Sequence, residues 1–378
     1  TISESGIEAS GIGITCANIN GTQIGGRRNI MINGAMNVAQ RGTSETAASG
    51  YTTVDRFSQS ASNLANNCDI EQGTISSGDA YDAGFRKSYK VTNGDNNADT
   101  NDQSKINYII ESQNLACSGW DSVNSNSKVT LSFWVKSSVA QTFVVHLYAD
   151  DANKAYAFEY AATTSWTKIT HTISGASGLT FNNDNGTGVN IQWFLYMGTD
   201  TTNNSFTYNA WGSYSGSSRS RDMTTTWQTT NDATFELTGV QLEVGSQATP
   251  FEHRSYGEEL ALCQRYYYRV GLSGGNYYGG DLGIGFTDND DTNIYVRTEF
   301  AVQMRAAPTA VEQTGDASEY KVRRDTTKTC SGVPTFSQAT AWAAKTNFPS
   351  SSHGWGTAAP VWGQSGNTDS FLAWSAEL

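Results

Sequence analysis

From Val54 to about Val244 the chain alternates apolar and polar residues with a period of two. Val129, Leu131, Phe133 and Val135 alternate with Thr130, Ser132 and Trp134, and Phe143, Val145 and Leu147 with Val144, His146 and Tyr148. Tyr156, Phe158 and Tyr160 alternate with Ala157 and Glu159, and Val189, Ile191, Trp193, Leu195 and Met197 with Asn190, Gln192, Phe194 and Tyr196. Successive side chains of a strand point to opposite faces, so each stretch predicts a half-buried strand. Turn clusters at Asp150–Asn153, Ser174–Gly178 and Asn182–Gly186 separate them. Many short strands at this spacing predict a β-sandwich or a jelly roll, which periodicity does not tell apart.

The pattern changes at Ser255. Ser255-Tyr-Gly-Glu258 is a capping box, in which Ser accepts from the third helical amide and Glu reaches back to the cap. It predicts a short helix near 256–264, with Leu260 and Cys263 on one face, ended by the aromatic strand Arg265-Tyr-Tyr-Tyr-Arg269. Beyond it Leu282-Gly-Ile-Gly-Phe286, then Ile294, Val296, Thr298, Phe300 and Val302, and finally Phe371-Leu-Ala-Trp374, resume strand alternation. The expectation is all-β. A jelly-roll sandwich over 45–254 precedes a smaller β-sandwich over 255–378. Residues 1–44, Gly-rich and with few apolar side chains, form an extended segment that orders against another chain. Residues 200–231, polar around Trp211, Tyr214 and Trp227, read as a long exposed loop.

Composition narrows the function. Charged residues are 16% of the chain, and aromatics are too numerous for disorder. The net charge of −12, with no basic cluster beyond Arg27-Arg28 and Arg323-Arg324, argues against nucleic acid and an anionic membrane surface. No apolar run is long enough to insert in a bilayer, and no signal peptide is indicated. Five scattered cysteines with no CxxC pair read as buried free thiols, a Cys263–Cys330 bridge being the alternative.

Catalytic signals are weak. Gly271-Leu-Ser-Gly-Gly275 matches GxSxG, but no helix pattern follows, and a turn is the plainer reading. The four histidines are too dispersed for a metal cluster. Asp95–Asp102 and Asp288–Asp291 carry oxygen ligands that would suit a structural calcium, yet neither fits a calcium-loop pattern, and no cofactor is expected. Glu159 is read as solvent-facing mid-strand, and His171 as a core or rim residue. Aromatics in polar loops (Trp211, Tyr214, Tyr277, Tyr278, Trp342 and Trp355) are the candidates for stacking on sugars, and equally for packing between subunits.

Three stretches carry a resemblance. GRRNIMINGAMNVAQRGTS at Gly26–Ser44 with YTTVDRF at Tyr51–Phe57, KVTLSFWVKSS at Lys128–Ser138, and FELTGVQLEVGSQATPFEHRSYGEELALCQRYYYR at Phe235–Arg269 resemble phage virion proteins, mostly tail-fibre-like. FAVQMRAAPT at Phe300–Thr309 adds to the likeness. KVTLSFWVKSS and FELTGVQLEVG look like the jelly-roll module of carbohydrate-binding-module-like domains. The resemblance implies a non-enzymatic virion protein, assembled in a host cytoplasm, most often as a homotrimer. Residues 1–44 would attach to other virion proteins, and outward loops would recognise host-surface glycan. A head fibre or capsid decoration protein is the alternative, and a glycan depolymerase a lesser one.

Overall fold

The computed structural model describes residues 27–271, 281–288, 292–365 and 370–378, together with the backbone of a short hairpin in which Asn18–Ile19 pairs with Thr22–Gln23. The protein is all-β with short helices, as the alternation predicts. Two six-stranded sheets form the larger sandwich. The first runs in the order Gly212–Ser213, Lys154–Ala162, Gln141–Ala149, Thr187–Met197, Gln103–Glu111, Phe57–Ser62. The second runs Thr167–Ser174, Lys128–Ser137, Thr234–Val244, Lys87–Thr92, Asp69–Thr74, Ser44–Glu45. Phe133 and Val135 of one sheet face Phe143, Val145, Tyr160 and Trp193 of the other, all buried. Phe133 meets the rings of Tyr160 and Trp193 edge-on at 5.2 and 5.8 Å, the arrangement that ring quadrupoles favour.

The strand Thr234–Val244 bends where its pairing with Lys128–Ser137 shifts between Thr238 and Gln241. Gly239 sits there at φ +60°, and a Cβ on it would come within 2.6 Å of Phe85. Glycine alone satisfies both demands.

The smaller unit has a seven-stranded sheet in the order Thr327–Thr329, Tyr320–Arg323, Pro360–Ser365, Asp281–Thr287, Asn293–Glu299, Ala343–Pro349, Thr335–Ala339. A three-stranded sheet of Tyr267–Gly271, Phe371–Ser375 and Glu312–Gln313 packs with it around Leu282, Val296, Phe348 and Trp374. The helix between the units, Tyr256–Gln264, has the expected capping box, with both the Ser255 and the Glu258 bonds formed. Cys263 and Leu260 pack with Ile32, Val38 and Tyr266.

Three expectations are corrected. Residues 27–44 do not await another chain: Ile30, Met31, Ile32, Met36 and Val38 are buried in this one. Polar side chains make that possible. Asn29 accepts from the amides of Met31 and Leu242 and donates to the Val240 carbonyl. Asn33 donates to the carbonyls of Val38 and Asp55. The 200–231 segment is not simply exposed. Trp227 is fully buried, its indole N–H on the Thr234 carbonyl at 3.2 Å, and Gly212–Ser213 adds a strand to the first sheet. Cys68, Cys263 and Cys330 are buried free thiols, whereas Cys117 is exposed. No Cys263–Cys330 bridge forms, since both thiols are free.

Candidate functional site

Strand register brings the outward positions of the first sheet into rows. Tyr148 stands opposite Ala155 on one side and Asn190 on the other. In the next row Ala157, His146, Gln192, Asn107 and Ser58 follow one another across five strands. A third row holds Glu159, Val144, Phe194, Lys105 and Ser60. This face is therefore a lattice of amides and hydroxyls with one imidazole, one ammonium, one carboxylate and a few apolar side chains.

The 198–231 segment folds over part of it. Phe206, Tyr208 and Met223 cover Val144, Phe194 and Met197. Tyr214 lies against Tyr148 with ring centroids 4.2 Å apart, and both rings are half-buried. Arg219 reaches the Gln103 side chain at 3.2 Å and lies 6.0 Å from the Tyr214 ring. At the sheet's edge a cleft of about 380 Å³ is lined by Ala155, Trp211, Ser213, Ser215 and Ser218 among others. The half-buried Trp211 is fixed by its indole N–H on the Ser174 carbonyl at 3.0 Å and by the Tyr156 ring at 5.4 Å.

Beneath the tyrosines a buried polar chain crosses three strands. His146 Nδ1 donates to Gln192 Oε1 at 3.1 Å, and Gln192 Nε2 donates to Asn107 Oδ1 at 3.1 Å. Burial, with the Arg219 and Lys105 charges adding to it, pushes the His146 imidazole down to about 3. His146 is thus neutral, and its Nε2 is buried without a partner. The Asn190 Oδ1 is unpartnered as well. Burial and the neighbouring Arg219 bring the Lys105 ammonium down to about 8.

The arrangement suits binding: aromatic faces, amide donors and acceptors, and cations on a rigid sheet. Among the described residues no group of three His, Cys, Asp or Glu side chains converges on a metal-sized site. The Asp95–Asp102 carboxylates are used locally. Asp95 accepts from the amides of Ala65, Asn96 and Asn97, and Asp102 from that of Asp99. In the second acidic stretch, 289–291 lie outside the described residues, as do Ser273 and the rest of the GxSxG match after Gly271. Glu159 is exposed mid-strand. His171 stacks on Phe158 at 3.7 Å and bonds the Tyr156 hydroxyl at 2.9 Å, at the rim of the core.

The sugar-contact candidates do not form one cluster. Trp211 and Tyr214 share the loop over the first sheet. Trp342, exposed, and Trp355, stacked on His353 at 5.9 Å, belong to the smaller unit. Tyr277 and Tyr278 lie outside the described residues. Sequence reading missed Tyr148, Asn190, Lys105 and Arg219. The available signal was that the outward positions of these strands are amides and Tyr rather than the usual surface charges.

Comparison with known proteins places part of the chain. The family described as Carbohydrate binding domain (CBM_4_9) matches residues 62–186, which hold three of the six strands of the first sheet. Similar solved structures include a CBM4 structure, at 12% identity and TM-score 0.29, covering 56% of this chain and 97% of that one. The CBM22-1 xylan-binding domain of Paenibacillus barcinonensis Xyn10C aligns at 12% identity and TM-score 0.25, covering 56% and 99%. The enzymatically active domain of bacteriophage CBA120 tailspike protein 4 aligns at 10% identity and TM-score 0.30, covering 57% of this chain and 21% of that one. No curated protein matches.

Proposed function

We propose that this chain is a virion fibre protein, tail-fibre-like, whose larger sandwich recognises host-surface glycan. The observation that carries the glycan reading is the Tyr148–Tyr214 pair beside Asn190, on a sheet of which three strands, Tyr148's among them, lie within the carbohydrate-binding match. Tyrosine faces pack on the C–H surface of a sugar, while the buried Asn190 Oδ1, unpartnered within the chain, would accept from a hydroxyl. The sheet fixes Tyr148 and Asn190, so little ordering entropy opposes binding. The virion reading rests on the motif resemblance. In it the chain is a homotrimer, residues 1–26 attach to other virion proteins, and weak single sites gain strength by multivalency.

A glycan array followed by titration calorimetry tests the binding. Tyr148→Ala and Tyr214→Ala, each with an unchanged circular dichroism spectrum, are expected to lose affinity by roughly tenfold or more. Retained affinity in both variants would place binding elsewhere, and no glycan bound by the wild type would end the reading. Antibody labelling of particles in electron micrographs tests the location. Label at the tail supports the fibre role, and label over the capsid supports the decoration role instead.

A further inference from the structure

We propose that the sheet-face site selects an acidic glycan, one whose sugars carry carboxylate, sulfate or phosphate groups, through Lys105 and Arg219. The inference rests on the glycan reading above and names its ligand class. In a chain of net charge −12, two electrostatically coupled cations that form no ion pair among the described residues are unexpected. Lys105 makes no ion pair or hydrogen bond among the described residues. Among the described residues Arg219 is hydrogen-bonded to the neutral Gln103 side chain and Thr201 carbonyl, through its Nη1 and its backbone amide. Each cation acts on the other's surroundings: Arg219 depresses Lys105, and both depress His146.

The nearby carboxylates are distant or at least partly engaged. Asp222 is held by Thr202 and Asn204. Glu159 shares the Lys105 row but lies three strands away, roughly 14 Å at ~4.8 Å per strand. Asp150 is taken up at the Tyr148 hydroxyl. Asp102 accepts from the Asp99 amide through one oxygen and keeps the other buried without a partner. A like-charged, half-buried pair destabilises the protein unless something anionic sits against it. The Nε of Arg219 is a buried donor without a partner, which an anionic oxygen would satisfy. The adjacent Tyr148–Tyr214 pair then takes the sugar ring whose anionic group the cations hold. Charge-assisted hydrogen bonds are about twice as strong as neutral ones, so selectivity follows from the two cations more than from the rings.

Matched polymers test this by calorimetry at low salt: polygalacturonate against its methyl ester, and dextran sulfate against dextran. The expected result is binding of an acidic member at least roughly tenfold tighter than its neutral partner. The pair that responds tells carboxylate from sulfate. Lys105→Gln and Arg219→Gln are each expected to remove most of that preference. Both substitutions relieve a repulsion, so their unfolding temperatures should be unchanged or higher, which separates lost binding from lost fold. Neutral members binding as tightly as acidic ones, or Gln variants that keep the preference, would overturn the inference and leave glycan recognition standing. Binding of none of the four overturns this inference, while a neutral glycan found on the array would still uphold the broader reading.

Discussion

The guanidinium carbon of Arg56 lies 3.4 Å from the ring centroid of Tyr266. The two residues belong to different resemblance motifs, YTTVDRF and CQRYYYR, and their contact lies at the heart of the joint between the two units. Arg56 is 1% exposed, pairs with Glu377 and donates to the Ile109 carbonyl. Around it Arg265 forks onto both Glu111 oxygens at 2.9 Å, and Gln40 bonds the Tyr267 carbonyl at 2.8 Å. The motifs are linked by this joint: they place side chains of distant sequence in one buried polar knot.

That knot predicts a steep and non-additive cost. Arg56 cannot shed its proton, so Glu377→Gln leaves a buried, uncompensated cation. Arg56→Met leaves Glu377 with only Arg41 at 3.5 Å. Each single change is expected to lower unfolding free energy by about 3–5 kcal/mol in urea titrations, and the double change Arg56→Met with Glu377→Gln by clearly less than the sum. Single variants within about 0.5 kcal/mol of wild type would show the pair to be structurally idle.

Glycine 34 sets a second test. A Cβ there would stand 2.0 Å from the Val240 carbonyl oxygen. The segment cannot simply retreat, because the Val240 amide donates to the Gly34 carbonyl at 2.9 Å. Gly34→Ala is expected to cost about 1–3 kcal/mol or more, read as a lower urea midpoint with the slope unchanged. An unchanged midpoint would mean that residues 27–44 are held less closely than the backbone contact implies.

Much of the fold was legible because its signal is local. Val129 to Val135 states its faces by alternation, and Ser255 with Glu258 states a helix start by hydrogen-bond chemistry alone. The burial of residues 27–44 was not legible, because their anchors are Asn29 and Asn33, whose partners lie at Val240, Leu242 and Asp55. The site was hidden for the same reason. Alternation says that Tyr148 and Asn190 point away from the core, but only register sets them side by side. Lys105 and Arg219 come near each other only because the 198–231 segment crosses the sheet.

Two buried groups give opposed pH dependences. The folded His146 value of about 3 lies below its free value of 6.5, so its neutral burial contributes stability that is full above 6.5 and is lost as pH falls toward 3. Asp55 is the reverse. Burial lifts its carboxyl from 3.8 to about 6, so its contribution is full below 3.8 and is lost as pH rises through 6. Between about pH 4 and 6 the two slopes oppose, each at most about 1.4 kcal/mol per pH unit. Relative to wild type, His146→Gln should therefore gain stability as pH falls from 6 to 4, and Asp55→Asn should lose it. Urea titrations at pH 4, 5 and 6 give both differences, and parallel pH curves for all three proteins would refute the assignment.

The proposed trimer has a surface to use. On the outer face of the seven-stranded sheet Ile284 is 60% and Phe286 57% exposed, and Trp362 beside Ile284 is 39% exposed. Lys345 lies over the Tyr295 ring at 4.0 Å on the same face and Arg297 pairs with Glu299, so the rim is charged around an apolar centre. Isolated apolar residues on a surface are ordinary, but three adjacent ones on a flat sheet face mark a contact. A second copy of the chain is the expected occupant. Light scattering should give the mass of three chains for the wild type and of one chain for Ile284→Asp combined with Phe286→Asp. Because both side chains face solvent within one chain, the separated protein should keep its strand spectrum. A trimer that survives the double change would move the subunit contact to another face, and a wild type that is monomeric at micromolar concentration would end the trimer proposal.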